Sequence, residues 1–153
     1  MKTICLYFEI HQIIHLKRYR FFEIGSDHYY YDDYANEQGI NEVAERSYIP
    51  ALTTLVEMAK ANEGAFKVAL SISGVALEQL ENYAPAVIEL LHELNATGCC
   101  EFVCEPYSHG LSSLKNEDCF REEVEEMRRK IKDYFGQEPK VFRNSSLIYD
   151  NEI

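Results

Sequence analysis

Polar and ionisable side chains follow four apolar stretches of the chain, where they could bind a ligand or transfer protons. They are Glu9-Ile-His11-Gln12, Ser71-Ile-Ser73, Glu101 to His109, and Arg143-Asn144. In parallel α/β folds the ligand binds at the carboxyl ends of the strands. The four stretches together therefore predict one polar site to which several strands contribute.

Glu101 is the most unusual of these residues, because it interrupts the otherwise apolar stretch 99–104. A carboxylate that faces a protein interior costs several kcal/mol unless it is paired or faces a wet cavity. We interpret Glu101 as functional. Glu105 and His109 can equally be plain loop residues, and Arg143 suits an ion pair with Glu101 or Glu105 as well as it suits a ligand contact.

The elements that must position these residues alternate between strand and helix patterns. Strands are predicted at residues 4–10, 66–73, 99–104 and 140–143, and helices at 50–62, 75–82, 85–95 and 117–135. Helices between successive strands imply right-handed β-α-β crossovers, so the predicted fold class is α/β with a parallel sheet. The near-continuous apolar run of the first strand predicts that it is covered on both faces.

Residues 17–38 have neither helical nor strand periodicity and predict a long functional loop. The segment combines seven aromatic residues with aspartates and arginines; the aromatic residues are Tyr19, Phe21, Phe22, Tyr29, Tyr30, Tyr31 and Tyr34. Aromatic rings that stack on apolar sugar faces, beside carboxylates that accept from hydroxyls, are suited to sugar recognition. The same loop could instead only cover the end of the sheet.

Composition restricts the partners and the compartment. The formal net charge of -11 repels phosphate backbones and anionic lipid, so we expect neither nucleic acid nor a membrane as partner. No apolar run approaches the ~20 residues of a membrane span, and no leader-peptide pattern opens the chain, which predicts a cytoplasmic protein. The five cysteines are odd in number and lie mostly in apolar stretches, which predicts buried, reduced thiols without zinc.

Several motifs resemble glycoside hydrolase family 57. Leu6-Tyr-Phe-Glu-Ile-His11-Gln12-Ile13 resembles its first motif, which usually reads His-Gln-Pro after a strand. Gly98-Cys-Cys-Glu101 resembles its second, Gly-x-x-Glu. The resemblance continues through residues 105–109 and 141–152, spans nearly the whole chain, and is nearest to α-amylase-type members at residues 16–25.

This resemblance implies that residues 1–153 are the amino-terminal portion of an incomplete (β/α)7 TIM-like barrel that hydrolyses α-glucans with retention, without a metal or other cofactor. In the family, the nucleophilic Glu and the acid/base Asp belong to later strands. We therefore expect no catalytic residue in this chain and no activity from the chain alone. The resemblance implies that His11 and Glu101 line the sugar subsite around the scissile bond and that His109 lies beside them. Together with Gln12 and Arg143 from the strand ends, they form the predicted substrate-binding set.

Two departures from the family pattern affect this assignment. Ile13 replaces the usual proline after His11-Gln12, and Ser145-Ser146 stands where members often have a carboxylate.

Two other functions remain open from the sequence. A metal-dependent polysaccharide deacetylase could use His11-x3-His15 as zinc ligands, although Glu9-Ile10 stands where such enzymes carry an Asp-Asp pair. A non-catalytic carbohydrate-binding protein could use the loop at residues 29–34. Because part of a barrel leaves an unpaired edge at the fourth strand and exposes apolar surface, we also expect self-association, or a partner that completes the sheet.

Overall fold

A computed structural model of the chain describes residues 4–26, 28–62 and 64–151. Residues 1–3, 27, 63, 152 and 153 lie outside the described residues, and Asp27 of the predicted loop at residues 17–38 is among them. Three parallel strands form one sheet in the order β1-β2-β3. Their bounds are Tyr7–Ile10 for β1, Val68–Ile72 for β2 and Cys100–Val103 for β3. The predicted α/β class with parallel strands is confirmed.

The prediction of a fourth strand at residues 140–143 is wrong. Only one parallel bridge forms there, between Cys104 and Phe142. The Cys104 amide donates to the Val141 carbonyl, and the Arg143 amide donates to the Cys104 carbonyl, each at 2.9 Å. The contact ends at Asn144, because the side chain of that residue accepts from the Ser145 amide at 2.9 Å and caps a short 3-10 turn, Ser145–Leu147.

The prediction that the first strand is covered on both faces is also wrong. β1 pairs with β2 only and is an edge strand, in which Ile10 is buried while Tyr7 and Phe8 remain exposed. An apolar run predicts a strand, but it does not predict how many neighbours the strand acquires.

The described residues form five α-helices: α1 Asp33–Val43, α2 Ile49–Ala61, α3 Gly74–Tyr83, α4 Pro85–Ala96 and α5 Glu117–Phe135. A π-helical turn, Ala44–Tyr48, joins α1 to α2. Short 3-10 turns lie at Phe21–Glu23 and Ser112–Leu114. The loop predicted at residues 17–38 is shorter than predicted, because helix α1 already begins at Asp33. The Asp32 side chain accepts from the Ala35 amide at 3.1 Å and caps this helix.

The hydrophobic core lies between one face of the sheet and the helices. Leu70, Ile72 and Phe102 contribute from the strands and are fully buried, or nearly so. The Phe102 ring stacks on Phe135 at the end of α5, with centroids 3.9 Å apart. α3 begins at Gly74 directly beneath Tyr107, where a Cβ atom would lie 2.2 Å from the tyrosine ring.

The cysteine prediction is confirmed in part. All five thiols are free, and Cys99, Cys100 and Cys104 are buried, whereas Cys5 is exposed and Cys119 is half-buried. Burial raises the pKa of the Cys100 and Cys104 thiols to about 12, so both are protonated at neutral pH. Within the described ranges, no helix combines the length and the apolar character that a membrane crossing requires.

Candidate functional site

Alternate side chains of the three strands form one polar face of the sheet, opposite the hydrophobic core. In register, Glu9 of β1 pairs with Ser71 of β2, and Ser71 pairs with Val103 of β3. Because side chains on one face recur every second residue, His11, Ser73 and Glu105 continue this face beyond the strands' carboxyl ends. The site lies at this end of the sheet.

Glu105 is the centre of the site and is fully buried. Ser71 Oγ donates to its Oε2 at 2.7 Å, and His109 Nδ1 lies 3.3 Å from its Oε1. Burial raises the pKa of the Glu105 carboxyl, while the hydrogen bond from Ser71 and the nearby His109 act in the opposite direction. The carboxylate is held by polar partners but is closed to solvent.

Arg143 links Glu105 to the second carboxylate of the site. Its Nη1 donates to Glu9 Oε1 and lies 3.9 Å from Glu105 Oε2. The guanidinium also lies over the Tyr7 ring, 5.5 Å from its centroid. The arginine side chain is only 17% exposed. We refer to Glu9, Glu105, His109 and Arg143 as the carboxylate cluster.

His11 lies beside this cluster and is held by the start of α3. Its Nδ1 is 2.8 Å from Ser73 Oγ, and the same hydroxyl accepts from the Ala76 amide at 3.2 Å as the N-cap of the helix. The His11 and His109 rings are stacked, with centroids 4.3 Å apart and planes at 22°. Burial, and secondarily the neighbouring His109, lower the pKa of His11.

We expect His11 to titrate below pH 6.5, because its burial disfavours the imidazolium. A folded-state pKa below the unfolded value contributes stability that is present above pH 6.5 and is lost as the pH falls through the folded pKa. Proton NMR of the imidazole ring, followed between pH 4 and pH 8, measures this directly. His109→Gln removes the neighbouring imidazole, which is the second cause of the lowered pKa, and should raise the pH midpoint of the His11 titration. A His11 midpoint at or above pH 6.5 in the wild type would contradict the expectation.

The structure brings together three of the five predicted site residues, namely His11, His109 and Arg143. Gln12 follows His11, but its side chain points to the π-helical turn, where its Nε2 donates to Tyr48 Oη at 3.2 Å. That tyrosine hydroxyl also donates to the His11 carbonyl at 3.4 Å. Tyr48 therefore links the Gln12 side chain to the backbone of His11.

Glu101 faces the same side of the sheet but lies at its other end. It lies in β3 in register with Ala69, four residues before Glu105, which corresponds to about 13 Å of extended chain. Its side chain is exposed and borders a hollow of about 340 Å³ that Cys5 and Lys67 also line. Its role in sugar binding stays a prediction, now at a position apart from the cluster.

The predicted site set omitted Glu9 and Glu105, the two carboxylates that organise the cluster. Their signal in the sequence is the even spacing of polar side chains along each strand and just beyond it: two residues in Glu9-Ile-His11 and Ser71-Ile-Ser73, and four from Glu101 to Glu105. In an otherwise apolar strand, that spacing indicates one polar face.

One group of described residues could hold a metal ion. Single ligand atoms of Glu9, Glu105 and His109 all lie within 4.8 Å of one another. The Arg143 guanidinium already contacts both carboxylates, so a divalent ion there would have to displace a resident cation. His15 does not join this group; its backbone amide donates to Asn36 Oδ1 at 2.7 Å.

A parallel α/β fold with carboxylates, histidines and an arginine at the carboxyl ends of its strands has the layout of a barrel-type enzyme domain. The family model of glycosyl hydrolase family 57 matches residues 5–153. The chain belongs to this family, and the resemblance noted in its motifs is confirmed.

Two similar proteins are much longer than this chain. A relative from Methanocaldococcus jannaschii named "Putative alpha-amylase" is 41% identical over 125 residues, which cover 81% of this chain and 26% of the relative. The crystal structure of 4-alpha-glucanotransferase from Thermococcus litoralis superposes with a TM-score of 0.70 at 18% identity, covering 97% of this chain and 20% of that chain. The second likeness establishes a shared fold.

Proposed function

We propose that residues 1–153 form the amino-terminal portion of a family 57 catalytic domain that acts on α-glucans such as starch, glycogen or maltooligosaccharides. Family membership supports this proposal, as do the names of the amylase and glucanotransferase relatives. The observation that carries it is the carboxylate cluster at the carboxyl ends of the strands, beside the stacked His11 and His109 rings.

In this proposal the cluster binds sugar and does not attack it. Retaining glycosidases use two carboxyl groups about 5–5.5 Å apart, one as nucleophile and one as acid/base. Glu9 and Glu105 are close enough together, but Glu105 is fully buried and Arg143 contacts both carboxylates. His11, His109 and Glu9 are partly accessible and would bond sugar hydroxyls, while Glu105 and Arg143 would position them.

We expect no release of reducing sugar from starch or maltooligosaccharides by the purified chain, because Glu105 is fully buried and Arg143 neutralises the partly exposed Glu9, so the pair does not supply the free nucleophile and acid that retention requires. A reducing-sugar assay with prolonged incubation measures this, with a mock purification from cells without the gene as its control. Turnover that survives purification and disappears in Glu9→Gln would place the nucleophile in this chain and contradict the expectation.

Binding to the cluster tests the substrate class. Titration of the isotope-labelled chain with maltotriose should shift the ring signals of His11 and His109, and His11→Ala should weaken binding. Cellotriose, which differs in its glycosidic linkage, serves as the control. A lack of response at both histidines, or an equal response to both sugars, would overturn the α-glucan proposal.

We further propose that the chain self-associates through the edge strand β1, where Leu6, Tyr7 and Phe8 are exposed. An exposed edge presents unpaired backbone groups to a second chain. Light scattering should show a mass that rises with concentration. Phe8→Lys should reduce the association, whereas Phe22→Lys, outside the sheet, should not; a monomer at every concentration would contradict this proposal.

A cytoplasmic location and a role in carbohydrate metabolism complete the proposal. All five cysteines are free, which suits a reducing compartment. The net charge of -11 opposes contact with nucleic acid or anionic membranes.

A further inference from the structure

We propose that a second pocket, between residues 29–36 and helix α3, is an accessory binding site for one neutral sugar unit. The pocket measures about 190 Å³ and is lined by aromatic, carboxylate and amide side chains, among them Tyr29, Tyr31, Asp33, Glu78, Gln79 and Tyr83. None of its lining residues belongs to the carboxylate cluster or is His11, so it is a separate site.

Gln79 provides the first argument, because it is a buried amide with an unused acceptor. The side chain is 5% exposed, and its Nε2 donates to the carbonyls of Gln12 at 3.1 Å and Ile13 at 3.4 Å. Two carbonyl partners fix the amide orientation, since only the NH2 group can donate to them. Gln79 Oε1 has no partner among the described residues. Because an unpaired buried acceptor is costly, a shift of the Gln79 side chain toward the pocket would be stabilised by a ligand hydroxyl that donates to it.

The lining residues restrict the chemistry of that ligand. Asp33 and Glu78 provide carboxylates, and the described residues that line the pocket include no Lys or Arg, so an anion is disfavoured there. The hydrogen bond that Tyr29 donates to Asp33 at 2.5 Å raises the pKa of that phenol to about 12. Asp33 already accepts from Tyr29, and Glu78 accepts from the Tyr107 hydroxyl at 2.5 Å, so Gln79 Oε1 is the acceptor that a purely apolar ligand would leave without a donor. A neutral molecule with hydroxyl donors suits a pocket lined by these groups.

The aromatic rings favour a sugar among such molecules. Tyr29 and Tyr31 lie edge to face, with centroids 5.8 Å apart, and Lys17 Nζ lies 4.6 Å from the Tyr29 centroid. Tyr31 is 46% exposed and Tyr83 is half-buried, so both offer apolar surface to the C–H groups of a pyranose ring. The volume is smaller than the roughly 300–1,000 Å³ of drug-sized ligand pockets, which suits one ring rather than a long chain.

The pocket is also connected to the cluster through the backbone. Gln79 holds the carbonyl of Gln12, the residue that follows His11. A glucan end in the pocket would therefore lie near the strand end that carries His11. The choice of an α-glucan as the sugar rests on the proposed function, whereas the site itself rests on Gln79 and the surrounding rings and acids.

Backbone amide NMR of the whole chain during maltotriose titration separates the two sites. Binding in the pocket should shift the amides of Tyr31, Asn36 and Gln79. Tyr31→Ala should weaken this response about tenfold. Tyr34→Ala is the matched control, because Tyr34 lies three positions away, is exposed and does not line the pocket. Gln79→Met, which removes the acceptor, should also weaken binding in a variant whose other amide signals show it to be folded.

The accessory site would be overturned if maltotriose did not change the amide chemical shifts of the pocket residues in the wild type. It would also be overturned if Tyr31→Ala left those changes unaffected. Loss of the His11 and His109 response alone would count against the proposed function and leave the pocket supported. An equal pocket response to cellotriose would support a sugar site and overturn its assignment to α-glucans.

Discussion

Replacing Arg143 with alanine is expected to destabilise the fold by about 3 kcal/mol at neutral pH. The change leaves Glu9 and the fully buried Glu105 without their shared cation, in a site where both carboxylates lie close together. Removing one partner of a buried ion pair is costly because the remaining charge stays desolvated. Urea-induced unfolding followed by circular dichroism measures the loss.

The decrease in the free energy of unfolding caused by Arg143→Ala should become smaller as the pH is lowered. Glu105 has a folded-state pKa above its unfolded value, so its contribution to stability is present below the unfolded value and is lost as the pH rises through the folded one. Protonated Glu105 does not need the arginine. Arg46→Ala is the matched control, because Arg46 pairs with Glu42 at 2.7 Å on the surface and should matter little. Equal costs for the two variants would refute a buried role for Arg143.

Truncating Phe102 to alanine should destabilise the chain by about 3–5 kcal/mol. The ring is fully buried in β3 and stacks on Phe135, 3.9 Å away, which joins the sheet to α5. Its removal would leave a cavity that neither element can fill without moving. Thermal and urea unfolding both measure the change.

The control for Phe102→Ala is Phe22→Ala, because Phe22 is an exposed ring outside the core and its loss should have little effect. Because Glu105 follows β3 directly, Phe102→Ala should also weaken maltotriose binding at His109. A loss of stability no larger than that of Phe22→Ala would show that the stacked pair does not support the core.

The sequence predicted helix α5 at its observed bounds, because several local signals agree. The Asn116 side chain accepts from the Cys119 amide at 3.1 Å, and Gly136 ends the helix at a φ of 68°. Between them, apolar residues recur every three or four positions. The exposure of β1 and the single bridge at Phe142 were not predictable in this way, because they depend on strand neighbours that are distant in sequence.

The site was predicted in outline from the strand ends, which identified His11, His109 and Arg143. Glu101 was favoured over Glu105 because its apolar surroundings made a charge there seem costly. The structure shows the opposite burial: Glu101 is exposed, and Glu105 is fully buried. Composition alone cannot distinguish them, since burial depends on how far along the strand a residue lies and on whether Arg143 reaches it.

The contact between Gly74 and Tyr107 has a consequence for how this fold can diverge. A methyl group at position 74 would overlap the tyrosine ring, which is also tethered by its hydroxyl to Glu78 at 2.5 Å. The two positions are therefore expected to change jointly during evolution: a homologue with a larger residue at 74 should carry a smaller one at 107. An alignment in which they vary independently would show that this crowding is relieved elsewhere.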